Sequence, residues 1–361
     1  MKVSLVKESN LNEKRVLLLP KHVEDLSNYC EMQVQEDCGI ESGISNSDYS
    51  KSGATIVDKN TAWQSTDFIL KLKRPTIEEA QLLTPNTKIA ALFHAEIASD
   101  LLDILLERKI TSYSFEYFKD VDGNYPLMKA TGEISGVQAI IYAAYHLQNH
   151  IGGSGKMLPS ISNAPGAKVV ILGYGNVGKA AAKVAVALGA EVIVFRYNSK
   201  LDDITDTSEP IEFYPWKKNL LEKVVPTSDV IIGAIRISTF DTPVFIEKSI
   251  LKLMKKGSIL IDVTAGYGNG YIESSEKVTS LEDPYYINEG IKHIKIREFP
   301  KSVHLTSTQQ ISSIYFPHIL EMIKTQDSNE KYEIAENGII THQGKIVNTQ
   351  ILKHYELRFK G

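Results

Sequence analysis

The run Gly173-Tyr-Gly175-Asn-Val-Gly178 follows one apolar stretch, opens a helical pattern and leads to a second apolar stretch ending at Phe195. Alone, such a run is weak evidence. Set between a strand and a helix inside a βαβ unit, it predicts a loop that holds the pyrophosphate of a dinucleotide. Gly173 permits the tight turn, Gly175 lets the backbone approach the phosphates, and Gly178 lets the helix pack close to the strand. Asn176 and Val177 begin the helix, whose unpaired N–H groups and partial positive charge suit an anion. The residue closing the second strand chooses between cofactors. An acid there bonds the ribose hydroxyls and repels a 2′-phosphate, whereas this chain has Arg196, a planar and permanently charged fork. Tyr197, Asn198 and Ser199 add donors, and Lys200 adds a cation. NADP(H) is the favoured cofactor. NAD(H) is the alternative, in which Arg196 is a solvated strand end or stacks on the adenine.

A second group of residues belongs to the N-terminal third. "VKESNLNEKRVLLLP" places Arg15 after the first strand, "FILKLKRP" ends a strand with Lys71, Lys73 and Arg74, and "KIAALFHAE" ends the next with His94. Ligands of open α/β sheets sit at the carboxyl ends of the strands, so these ends should line one crevice. A guanidinium and an ammonium suit a 2-oxo acid, one gripping the carboxylate and the other polarising the carbonyl. A histidine titrating near neutrality can move the proton that accompanies hydride transfer. Each residue also has a plainer reading. Strand-end lysines are mostly solvated, Arg15 could sit in a surface ion pair, and His94 could be a hydrogen-bonded core residue. Convergence at one end of one sheet favours the chemical reading.

The elements that must position these residues alternate between short apolar runs and helical patterns, the signature of α/β layering. Strands are expected at 3–6, 33–36, 68–73, 89–94 and 111–115, with helices at 21–29 and 99–109. A long helix should cover 133–148, with Ile134, Val137, Ile141, Ala144 and Tyr145 on its apolar side. Further strands are expected at 229–235, 258–263 and 293–296, followed by a helical region from 302. "NGIITHQGKIVN" reads as a loop or short hairpin. At 361 residues the chain exceeds one compact core, so two domains are expected.

Composition narrows the function further. A net charge of -4 without a dense basic run argues against nucleic acid as a partner. The two cysteines, Cys30 and Cys38, are too few for a disulfide framework and lack the neighbours of a zinc site, so no metal is expected. The N-terminus has no secretory apolar region, and no apolar run reaches the roughly 18 residues of a membrane span. The expectation is a cytoplasmic protein that does not enter a membrane.

These motifs, in this order, resemble the family of alanine dehydrogenase, the NAD-binding subunit of transhydrogenase, saccharopine dehydrogenase and N5-(carboxyethyl)ornithine synthase. "KESNLNEKRVLLLP" is similar to the family's opening KE…NE.RV.L.P, "DFILKLKRP" to its strand ending K.KEP, and "ALFHAE" to its Y.H strand. "GSILIDVTAGYGNGYIE", "FPKSVHLTST" and "NGIITHQGKIVN" resemble its later segments. The resemblance implies two Rossmann-like doubly wound α/β domains with a cleft between them. Residues 1–130 plus 305–361 would form the substrate domain and 131–304 the dinucleotide domain. It implies that Arg15 and Lys73 hold the substrate, that His94 is the acid–base and that Lys73 shares in catalysis. Ser135, with Glu133, matches a segment at the start of the long helix and is assigned to the cofactor side. A homo-oligomer is expected by the same analogy.

Two departures point to one branch. Arg196 replaces the cofactor acid of the NAD-using members, and Gly266 stands where alanine dehydrogenase has a second aspartate, four residues after the Asp of "ILIDV". Tyr267 and Asn269 could line the space that glycine leaves, or serve the turn suggested by Gly268 and Gly270. The favoured activity is NADPH-dependent condensation of a pyruvate-like 2-oxo acid with the amine of an ornithine- or lysine-like amino acid, the opine-forming reaction. Alanine-dehydrogenase-like amination with ammonia is the alternative. A non-catalytic NADPH-binding subunit or sensor is the third, and intact Arg15, Lys73 and His94 argue against it.

Overall fold

The computed structural model describes residues 1–10, 12–196, 210–235, 244–263, 271–328 and 330–358. The chain divides into two compact units, Met1–Thr131 with Val303–Gly361, and Gly132–Ser302. In chain order the first unit contributes β1 (Lys2–Leu5), β2 (Glu31–Gln35), β3 (Thr55–Val57), β4 (Phe68–Lys73), β5 (Lys88–Leu92) and β6 (Thr111–Ser114). The second contributes β7 (Lys168–Leu172), β8 (Glu191–Arg196), β9 (Ile211–Pro215), β10 (Val230–Gly233), β11 (Ile259–Asp262), β12 (Tyr286–Asn288) and β13 (Ile291–Ile294). The chain then returns to the first unit with β14 (Ile339–His342) and β15 (Lys345–Ile346).

Each unit is a doubly wound, mainly parallel sheet. The first has the order β15-β14-β6-β5-β4-β1-β2-β3, the second β12-β13-β11-β10-β7-β8-β9. The winding reverses between β1 and β4 in the first and between β7 and β10 in the second. Both faces of such sheets are covered, which is why their strands read as nearly continuous apolar runs. Phe68, Leu70 and Leu72 enter one core cluster while Ile69 enters the opposite one. Likewise Val169 and Ile171 face one core, and Val170 and Leu172 the other. The helix His304–Lys324 completes the first unit, burying Ile311, Tyr315 and Ile319 in the same cluster as Val3 and Leu5. "NGIITHQGKIVN" forms the antiparallel β14–β15 hairpin, whose turn residues Gln343 and Gly344 both have positive φ.

The expected strands occur within a few residues of their expected ends, and 68–73 coincides with β4. The edge strands β3 and β9 were not anticipated, because their half-exposed sequences carry no run of buried apolar residues. The long helix runs from Met128 to His146, and its apolar side needs correcting. Ile141 and Tyr145 are 47% and 51% exposed, while Gly132, Gly136, Ala139, Ile140, Ala143 and Leu147 are buried. Small residues face inward because the helix lies against the start of another, Asn176–Ala187. A Cβ on Gly136 would come within 2.2 Å of the Val177 carbonyl oxygen and 2.9 Å of the Ala181 nitrogen.

This contact is backbone against side chain, so the neighbour cannot rotate away. Gly136→Ala is expected to cost at least about 1–3 kcal/mol, the usual range for overpacking, and to lower Tm by several degrees, at about 2–4 °C per kcal/mol. Ile141→Ala, on the exposed face, should change Tm little. Paired thermal melts of the two variants check this assignment of faces.

Candidate active site

In the first unit, Arg15, Lys73 and His94 all come to the carboxyl end of the sheet, around the reversal between β1 and β4. Arg15 lies in the loop after β1, and that loop is tied to the helix His304–Lys324. The Val16 and Leu19 N–H groups donate to Thr308 Oγ1 (3.3 Å) and Ser312 Oγ (2.8 Å). Arg15 is 3% exposed and meets Glu13 with two parallel bonds, from Nε at 2.6 Å and Nη2 at 2.5 Å. The pair fixes one edge of the guanidinium. Lys73 ends β4 after a register shift against β5 and is partly buried.

The other strand-end lysine is a structural residue. Lys71 is fully buried, with its Nζ donating to Glu8 Oε2 at 3.1 Å and to the Lys7 carbonyl at 3.0 Å, and lying 3.8 Å from Glu79. Burial raises the pKa of the Glu8 carboxyl while Lys71 opposes the shift.

His94 follows β5 in a left-handed conformation, φ 46° and ψ 51°, uncommon for a residue with a Cβ. Glu116 accounts for it. One oxygen of its carboxylate accepts the Phe93 N–H at 3.2 Å and the other the His94 N–H, while the imidazole Nδ1 lies 3.9 Å from Oε1. The ring keeps 40% of its surface open, yet the protein packed around it pulls its pKa below 6.5. Glu116 and Glu96 oppose that shift, and Lys73 and Arg74 reinforce it. A neutral imidazole with a carboxylate close by can take a proton and hold it as an imidazolium.

In the second unit the glycine loop leaves β7 at the reversal point. Gly173 has φ 104°, and a Cβ there would lie 2.7 Å from the Ala234 carbonyl oxygen. A Cβ on Gly178 would lie 2.1 Å from the Gly173 oxygen, so strand and helix meet backbone to backbone. At Gly175 a Cβ would meet nothing within 4 Å, and no side chain caps the helix Asn176–Ala187 that starts there. An exposed turn in front of unpaired helix N–H groups fits a pyrophosphate. Arg196 ends β8 with its guanidinium carbon 6.0 Å from the ring centroid of Tyr174, inside the loop, and Lys179 Nζ lies 5.7 Å from the same ring. Ser135 and Glu133 lie on the helix Met128–His146, and Ser135 precedes the Gly136 that packs on Val177. Tyr197 to Lys200, and Gly266 with Tyr267, Gly268, Asn269 and Gly270, lie outside the described residues.

Sequence reasoning missed Glu13, Glu116, Tyr174 and Lys179. Glu116 had a signal, an acid just past the end of a strand. Tyr174 and Lys179 sit in or beside the glycine run but match no residue type the motif specifies. Among the described residues no group of three or more His, Cys, Asp or Glu is placed to hold a metal ion, and no helix is long and apolar enough to cross a membrane. Cys30 and Cys38 are unpaired thiols, pushed up by burial to about 11 and about 12.

Two Rossmann-like units, one carrying a glycine loop before a helix and the other a histidine among cations, fit the class of α/β oxidoreductases that use a nicotinamide cofactor. Residues 4–135 match the N-terminal domain of alanine dehydrogenase/PNT and residues 139–349 its C-terminal domain, so the chain belongs to that family. It is 29% identical to alanine dehydrogenase 2 of Staphylococcus aureus, covering 100% of this chain and 98% of that one. An L-alanine dehydrogenase structure superposes with a TM-score of 0.90 at 26% identity, over 99% of both chains. A transhydrogenase structure from Sinorhizobium meliloti shares the fold, with a TM-score of 0.77 at 21% identity and 97% and 99% coverage.

The surroundings of His94 set the sign of its titration. Burial penalises the imidazolium, so the midpoint should fall below the ordinary 6.5. Glu116→Gln removes the carboxylate that favours the charged form and should lower the midpoint further. NMR titration of the imidazole resonance, assigned by its loss in His94→Asn, checks both. A midpoint above 6.5, or a rise in Glu116→Gln, would contradict this account of the electrostatics.

Proposed function

We propose that the protein catalyses the NADPH-dependent reductive condensation of a 2-oxo acid with the amine of an amino acid. The products would be an N-carboxyalkyl amino acid, NADP+ and water. The observation that carries the reading is His94, held near Lys73 at the carboxyl end of β5, the strand next to β4 and the reversal. Arg15 and Lys73 would hold the oxo acid, with Lys73 polarising its carbonyl. Neutral His94 would take a proton from the incoming ammonium group, freeing the nitrogen lone pair to attack C2. A second proton would pass from the nitrogen to the former carbonyl oxygen, and the imidazolium would return the first to that hydroxyl, so water leaves and a protonated imine remains. When bound, the reduced nicotinamide supplies the hydride that converts the imine carbon to the product. Gly173, Gly175, Asn176, Val177 and Gly178 would hold its pyrophosphate, with Ser135 close to that loop.

Arg196 supports NADP(H), because its guanidinium lies over the loop residue Tyr174, near the glycine turn. Gly266 supports an amine larger than ammonia, since a glycine there leaves room where the resemblance has an aspartate. Ammonia as the nitrogen donor is the second reading, favoured by the end-to-end similarity to alanine dehydrogenase 2 of Staphylococcus aureus.

An NADPH-oxidation assay with pyruvate decides between the two. Ornithine or lysine should support far higher kcat/KM than ammonium, and comparable values would overturn the condensation reading. Binding without any turnover would leave a sensor. The cofactor assignment is tested separately. Arg196→Asp removes a charge-assisted contact and adds a repulsion, so NADPH affinity should fall about tenfold or more while NADH changes little. Nucleotide fluorescence titrations give both dissociation constants, and equal losses would show that Arg196 does not read the 2′-phosphate.

A further inference from the structure

Arg74 follows Lys73 at the end of β4 and has no assigned role. Its backbone N–H closes the ladder onto the Leu92 carbonyl at 2.9 Å, and Pro75 ends the strand. The guanidinium is partly buried, and its Nη1 reaches the carbonyl oxygens of Phe93 and His94, each at 3.5 Å. Those contacts lie at the outer limit of hydrogen bonding, and a guanidinium carries five N–H donors. Among the described residues no carboxylate pairs with it. The acids nearby are engaged elsewhere, Glu13 with Arg15, Glu8 with Lys71, Glu96 with the Tyr117 hydroxyl and Glu116 with the backbone of Phe93 and His94. A cation partly removed from water and left without a counter-charge is costly, and an anionic ligand relieves that cost.

We propose that Arg74 binds a second substrate carboxylate, the one belonging to the amino-acid co-substrate. The inference rests on the condensation reading above and sharpens it. Arg15 and Lys73 would serve the carboxylate and carbonyl of the oxo acid, and neither is left over for another acid group. Alanine carries one carboxylate, whereas an N-carboxyalkyl amino acid carries two. Arg74 Nη1 lies 3.5 Å from the carbonyl oxygen of His94, so its planar fork is a neighbour of the residue that would accept the reacting nitrogen's proton, and it would take the α-carboxylate of the incoming amino acid.

The test compares lysine with cadaverine, the same diamine without the carboxylate, in NADPH oxidation with pyruvate. The wild-type enzyme should prefer lysine. In Arg74→Met the lysine KM should rise about tenfold or more, the loss expected for a charge-assisted contact, and the preference for lysine over cadaverine should shrink by the same factor. The KM for pyruvate should move much less. Arg74→Lys keeps a cation and should recover part of the lysine affinity. The NADPH dissociation constant, read by fluorescence, reports whether each variant is folded. Equal kcat losses for lysine and cadaverine with an unchanged lysine KM would overturn the proposal, leaving Arg74 as a support for the His94 turn. A wild-type enzyme that uses ammonium but no amino acid overturns the condensation reading and this inference together. One that uses amino acids while Arg74→Met retains its lysine preference overturns this inference alone.

Discussion

The backbone at the end of β5 depends on one carboxylate accepting two consecutive N–H groups. Glu116, at the end of β6, caps Phe93 and His94 and so holds the histidine in a left-handed turn that its side chain would otherwise disfavour. The turn lies at the end of β5, a strand that stays in register with β6 while its pairing with β4 shifts before Lys73. The same carboxylate offsets the burial that depresses the imidazole pKa. Burial sets the direction of the His94 shift, and the residue that fixes its backbone is also the foremost group opposing that shift.

Around that turn the charges are sorted rather than pooled. Glu13 takes one edge of Arg15, and Glu8 and Glu79 surround Lys71. Breaking a buried pair of this kind by removing one member typically costs about 3–5 kcal/mol, because the survivor stays buried and uncompensated. Lys71 thus ties β4 to the segment that follows β1, on which Arg15 also lies.

The second unit relies on the absence of side chains. Gly136, Gly173 and Gly178 each place backbone where a Cβ would collide, and together they let two helices and a strand end approach one another at the glycine loop. Gly175 differs, since its missing Cβ leaves open space. Three glycines in this corner serve packing and one serves access, a division that the spacing of the motif does not reveal.

The α/β alternation, most of the strands and the glycine turn before the helix Asn176–Ala187 were legible in the sequence, because a parallel strand buried on both faces and a glycine turn each leave a local pattern. Arg15, Lys73, Arg196 and His94 were legible as candidates because each lies at a strand end or in the loop beyond one. The buried side of the helix Met128–His146 was legible only at Ile134, since glycines and alanines that pack against the neighbouring helix share that side with Ile134 and Ile140 and carry no hydrophobic signal. The separation of Lys71 from Lys73, two lysines of one strand, was not legible. Lys71 meets Glu8 across 63 positions, His94 meets Glu116 across 22, and the Arg15 loop is anchored to Thr308 through Val16 across 292. Residue type and spacing determined which groups could do chemistry. Which of them are neutralised, and which face a ligand, was decided by partners that only the folded chain brings within hydrogen-bond reach.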